Sequence, residues 1–124
     1  MTETPVEAER SYVLQVKDVQ LTKDALDPSS VLAGSPEVFI VVLSSSYNGN
    51  VVRGIWKCTE GTVTDIEEDE MFTILEGRAT VHIEGGPTLE LTSGCMGELK
   101  KGEKTTWVVH ETIVKTFQIT LYDE

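Results

Sequence analysis

Glu70-Met71-Phe72-Thr73-Ile74-Leu75-Glu76-Gly77 is the stretch whose reading decides the fold. Glu70, Phe72 and Ile74 share one parity, so a strand here puts a carboxylate in line with two large apolar side chains, and Gly77 interrupts the run. Upstream lie Trp56 and an acidic bend of Glu67, Glu68 and Asp69. Downstream, Gly94 opens a second segment that turns at Lys101-Gly102-Glu103 and ends in Thr105-Thr106-Trp107.

Working outward, helical periodicity is nearly absent. Short β-branched runs separated by turn residues predict strands over 12–16, 38–44, 51–58, 62–66, 70–75, 78–84, 88–91, 95–99, 105–109 and 113–122, about nine or ten in all. The polar stretch 21–36, with Asp-Pro, Ser-Ser and Gly-Ser-Pro, reads as a loop with one short helical turn around 23–26. Asn48-Gly49 marks a tight hairpin turn. Regular turn spacing without a crossover helix predicts an all-β, antiparallel jelly-roll barrel. Residues 1–10 are expected to form a mobile arm and 11–124 a single domain.

Alternation assigns faces. Ala79, Val81 and Ile83 share one side of their strand, opposite Thr80, His82 and Glu84. Val52, Gly54, Trp56 and Cys58 oppose Arg53, Ile55 and Lys57. In the last strand Ile113, Lys115, Phe117, Ile119 and Leu121 fall together, and a lysine in phase with four apolar residues requires an explanation.

The chain carries 21 acidic against 10 basic side chains, a formal net charge of -11, which disfavours nucleic acid and anionic membranes as partners. The apolar run 38–43 is far short of the roughly 20 residues of a spanning helix. The first ten residues lack a basic n-region and an apolar run, so no secretory signal is expected, and Cys58 and Cys95 are expected as thiols in the cytoplasm.

In order, Gly54-Ile55-Trp56, Thr59-Glu60-Gly61, Asp69-Glu70, Ile74-Leu75-Glu76-Gly77, Ser93-Gly94, Gly102, Thr106-Trp107 and 111–115 form a set that resembles the cupin superfamily. Within it, the set is similar to the small single-domain subfamily typified by the cupin domain of (S)-ureidoglycine aminohydrolase. The resemblance implies a barrel around an inward-facing Glu70. Metal-binding cupins of this pattern offer two histidines one residue apart before that glutamate, and a further histidine after the second turn. Here residues 63–67 are Val, Thr, Asp, Ile and Glu, and Thr105 stands at the later position. No nitrogen or sulfur ligand remains, so no transition metal and no cofactor is expected, although Asp65 or Glu67 with Glu70 leaves a weak hard-cation site open.

An isolated inward carboxylate requires a partner or a proton. Lys115 is the natural partner, and two arrangements stay open: a Glu70–Lys115 contact on the cavity floor, or both side chains solvated at the mouth. Trp56 and Trp107 flank Glu70 and offer flat apolar walls with one N–H donor each, and Phe72 and Thr105 complete the expected ligand-binding set. The rest of 67–70 reads as a solvated bend. His82 and His110 read as exposed and Cys58 as a core residue, while Cys95 replaces an aspartate that locks its turn in similar sequences.

Three functions fit. The first is a metal-independent binder of a small molecule. The second is a lyase, isomerase or aminohydrolase acting on a small amino- or oxo-acid, with Glu70 as general acid or base and Lys115 as charge stabiliser. The third is an interaction module whose pocket is vestigial, and a homodimer is expected, for which the apolar run 39–43 offers a surface.

Overall fold

Strand-forming residues dominate the described chain, residues 10–122 of a computed structural model. The expected arm over 1–10 lies outside the described residues except for Arg10. Nine strands follow in order: β1 (Thr22–Asp24), β2 (Val31–Gly34), β3 (Val38–Ser46), β4 (Val51–Cys58), β5 (Gly61–Ile66), β6 (Asp69–Ile83), β7 (Thr88–Thr92), β8 (Met96–Leu99) and β9 (Lys104–Thr120). The only helical pieces among the described residues are two 3-10 turns, Val16–Asp18 and Pro28–Ser30, so none is long and apolar enough to cross a membrane.

All strand pairs are antiparallel, and the sheet curls because its two longest strands each serve two sets of neighbours. The first part of β9 pairs with β5 (Val63 opposite Trp107), and its last part pairs with β4 (Trp56 opposite Lys115). β6 runs along the whole of β9 and also takes β8 and β7 in succession. This curled antiparallel sheet is the all-β cupin fold.

Two breaks expected from the sequence are bends within continuous strands. At Gly77 (φ 91°) the β6–β9 register shifts three times between Ile74 and Ala79, and a side chain there would collide with the Thr112 carbonyl oxygen. The glycine lets the strand turn without losing its partner, so 70–75 and 78–84 are one strand, as are 105–109 and 113–120.

The N-terminal expectations require larger correction. Residues 12–15 form no strand. Leu14 and Val16, then Val19 and Leu21 beyond the 3-10 turn, pack on Val41, Leu43 and Ile55, the apolar outer face of β3 and β4. Their alternation is real, but it serves to cover a sheet face rather than to pair with an edge. The expected loop 21–36 holds β1 on the edge of β3, a 3-10 turn capped by Asp27 Oδ1 accepting from Ser29 N (2.9 Å), and β2 on the edge of β5. These segments read as loop because they bury almost nothing.

The larger core lies inside the curl, with Phe72, Ile74, Val81, Leu99, Ile113 and Cys58 essentially sealed. Ala79, Val81 and Ile83 face it, as alternation predicts. One end of this interior is polar.

Candidate functional site

β6 and β9 deliver the central residues. Glu70, Phe72 and Ile74 project inward from β6, and Thr105, Trp107, Val109, Ile113, Lys115 and Phe117 from β9, all buried. Lys115 sits between two partners, opposite Trp56 on β4 and Ile74 on β6, which fixes its side chain in the interior.

Of the two arrangements left open by the sequence, the structure has the contact. Lys115 Nζ donates to Glu70 Oε2 at 2.6 Å, with only 7% and 5% of the two side chains exposed. The ammonium also lies 4.6 Å from the Trp56 ring centroid, 4.7 Å from that of Trp107 and 5.5 Å from that of Phe72. Three aromatic faces and a carboxylate therefore enclose the cation, compensating for its removal from water. The two tryptophans are themselves 5.4 Å apart and tilted by 59°.

Glu67 is a correction. Expected in a solvated bend, it is 6% exposed, and its Oε2 accepts from Thr105 Oγ1 at 2.6 Å and from Trp107 Nε1 at 3.2 Å. Its position follows from the backbone: Glu67 N donates to Glu103 O (2.9 Å) and Gly102 N donates to Glu67 O (2.8 Å), which straps the bend to the turn before β9. Glu67 lies between strands, so alternation is silent about it. The available signal was the need of a buried indole N–H and a buried threonine hydroxyl for an acceptor. Thr105, expected to meet a ligand, is 2% exposed and engaged with Glu67.

Around these groups opens a cavity of about 460 Å³. Trp56, Trp107, Ile40, Val63 and Phe117 supply apolar wall, while Glu67, Glu70 and Lys115 form its polar depth and Asp65 and Glu68 stand at its exposed rim. Burial raises the Glu70 carboxyl above the usual carboxylate range, opposed by the attraction of Lys115. Burial likewise raises Glu67, opposed first by the Thr105 hydrogen bond. Asp65 is raised by partial desolvation at the rim. Phe72 packs 6.4 Å from Trp107 as part of the core.

The donor set does not fit a transition ion. Lys115 occupies one oxygen of Glu70, two donors occupy one oxygen of Glu67, and a divalent ion beside them would meet the ammonium. Burial pushes the Cys58 thiol up to about 11, and the residue is sealed in the core rather than lining the cavity. Among the described residues no group of three His, Cys, Asp or Glu side chains is placed to hold a metal. His82 and His110 are exposed and bond Thr88 and Thr80. Cys95, in place of that aspartate, still ties its turn: its Sγ accepts from Thr92 N at 3.4 Å.

Fold and inward-facing site together define a cupin. The profile of the EutQ-like cupin domain matches residues 46–117, more than half of the chain, and the chain belongs to that family. No curated protein matches. Among solved structures, a DUF861-family protein of unknown function from Pseudomonas syringae superposes with a TM-score of 0.74 at 20% identity, over 84% of this chain and 46% of the other, so this chain spans less than half of that protein. The EutQ protein of Clostridium difficile gives 0.67 at 18% identity, over 90% of this chain and 88% of its own. A candidate ethanolamine utilization protein Q from Salmonella typhimurium gives 0.62 at 18% identity, over 84% of this chain and 96% of its own. At these identities the likeness shows the fold alone. The narrower likeness to ureidoglycine aminohydrolase has no support in these matches.

Proposed function

We propose that this protein binds a small organic molecule inside the cupin cavity without a transition metal or other cofactor, as a sensor, carrier or accessory protein. The observation that carries this reading is the cavity of about 460 Å³ walled by Trp56 and Trp107 and floored by the Glu70–Lys115 pair. That size is within the range of small-ligand sites, and apolar walls with a few convergent polar groups are their usual composition. The two free cysteines support a cytoplasmic setting, and the net charge of -11 argues against nucleic acid and anionic membranes as partners. Val42, exposed on β3, supports pairing of two copies, checked by sedimentation.

The test is a screen of small metabolites by thermal shift and tryptophan emission. A saturable ligand whose effect is lost in Trp107→Phe supports the reading, and hits indifferent to Trp56 and Trp107 substitutions contradict it.

A second reading has one observation in its favour. The Glu70 carboxyl, its pKa raised by burial and its Oε2 bonded to the Lys115 ammonium, is placed as a general acid or base would be. Turnover of a bound compound that vanishes in Glu70→Gln, with binding retained, would establish it. The aminohydrolase activity of the metal cupins is not carried over, because the donors here do not hold their ion.

A further inference from the structure

Polar groups around the cavity divide unevenly into acceptors that are free and neutral donors that are spent. Glu67 and Glu70 are each more than nine-tenths buried, and each uses only Oε2 for hydrogen bonds. Their Oε1 atoms have no hydrogen-bond partner among the described residues, and neither is sealed from the cavity, since no buried side-chain oxygen is left unsatisfied there. The neutral donors are committed. Thr105 Oγ1 and Trp107 Nε1 serve Glu67, Thr64 Oγ1 serves Ser30 O, and Ser30 Oγ serves Asp27 O. Lys115 gives one N–H to Glu70 and presents the remainder of its ammonium to aromatic faces.

Charge points the same way. The described lining holds six carboxylate side chains, Asp24, Asp27, Asp65, Glu67, Glu68 and Glu70, against the single cation Lys115, which is already neutralised by Glu70. A carboxylate or phosphate entering this space would meet repulsion from the six acids, with only the N–H groups that Lys115 does not give to Glu70 to receive it. A cation bearing N–H groups would satisfy both open oxygens.

We infer that the ligand is a small organic cation, an alkylammonium or guanidinium with a short apolar body, whose N–H groups bond Glu67 Oε1 and Glu70 Oε1 while its body lies against Trp56 and Trp107. Glu70 then bridges two cations, Lys115 on one oxygen and the ligand on the other. This assignment rests on the cavity reading above and removes oxo-acids and phosphorylated metabolites from its scope.

Both tryptophans of the chain stand in the cavity wall, so intrinsic emission reports this site alone. The full-length protein is titrated at low salt with n-butylammonium, n-butylguanidinium and butane-1,4-diammonium chlorides, and with butyrate and n-butanol as matched anion and neutral. Saturable changes are expected with the cations only. Glu67→Gln, which keeps an acceptor for Thr105 and Trp107, is expected to weaken n-butylammonium about tenfold or more, and Glu98→Gln on the surface to leave it unchanged. Butyrate or butanol binding as tightly as n-butylammonium overturns the cationic class and leaves the cavity reading standing, and so does a library that yields only anionic or neutral ligands sensitive to Trp107→Phe. Cations that give no saturable change overturn the class as well. Ligands of any charge whose binding ignores Trp107→Phe overturn the cavity reading itself.

Discussion

Lys115 and Glu70 meet at 2.6 Å inside the protein from positions 45 residues apart in sequence, the lysine ringed by Trp56, Trp107 and Phe72. The pair explains why a lysine sits in phase with Ile113, Phe117 and Ile119: its cation supplies the positive charge that lets an inward Glu70 remain in a barrel with no histidines to hold a metal.

Removing one partner should cost more than removing both. Lys115→Met leaves a buried carboxylate without its cation and is expected to lower stability by about 3 kcal/mol at neutral pH. Lys115→Met with Glu70→Met should recover most of that loss. Urea denaturation of the wild type, both single variants and the double variant measures the coupling. An additive cycle would show that the contact carries no energy.

Acidity should stabilise this fold down to mildly acid pH. Glu67 and Glu70 are raised above 4.5 in the folded state, so between 4.5 and their folded values the native protein binds more protons than the unfolded chain, and stability falls as pH rises through that window. Asp27 and Asp69 are lowered, by Ser29 and by Tyr122 respectively, so their contribution is lost as pH falls below 3.8. A melting temperature highest between pH 3.8 and 4.5 is expected, with a flatter neutral limb in Glu67→Gln. A melting temperature rising steadily from pH 5 to 8 would contradict these assignments.

Gly77→Ala should be severe for its size. The residue needs φ 91°, and its new methyl group would strike Thr112 O in the strand opposite. A loss of about 2–4 kcal/mol in chemical denaturation is expected. Gly85→Ala, at a similar positive φ but with open space around it, should cost about 1 kcal/mol.

The N-terminal cover is open to a separate test. Leu14→Ser with Val16→Ser should uncover Val41, Leu43 and Ile55, lowering stability by about 1–3 kcal/mol and raising binding of a hydrophobic dye. Unchanged dye binding would mean that the segment does not shield that face.

How much of this was legible in the sequence depended on whether a residue lay in a regular strand. β4 runs over 51–58 as alternation and its turn residues predict; parity set Lys115 among apolar residues, and the cupin resemblance turned Glu70 inward. Glu67 was misread because its burial is imposed by backbone bonds to the turn at 102–103, a long-range pairing with no local pattern. Residues 12–16 have strand alternation without an edge to pair with. The edge strands β1 and β2 were missed for the opposite reason: their backbone pairs, but their side chains are mostly exposed and carry no periodic signal.

The central claim, that an ion pair and not a metal centre holds the inward carboxylate, is tested most directly by measuring metal content. The purified protein is equilibrated with excess manganese, iron, nickel or zinc, dialysed and analysed by elemental mass spectrometry. The account predicts far less than one ion per chain, the same in wild type and Glu70→Gln. One equivalent retained by the wild type and lost in Glu70→Gln would contradict it.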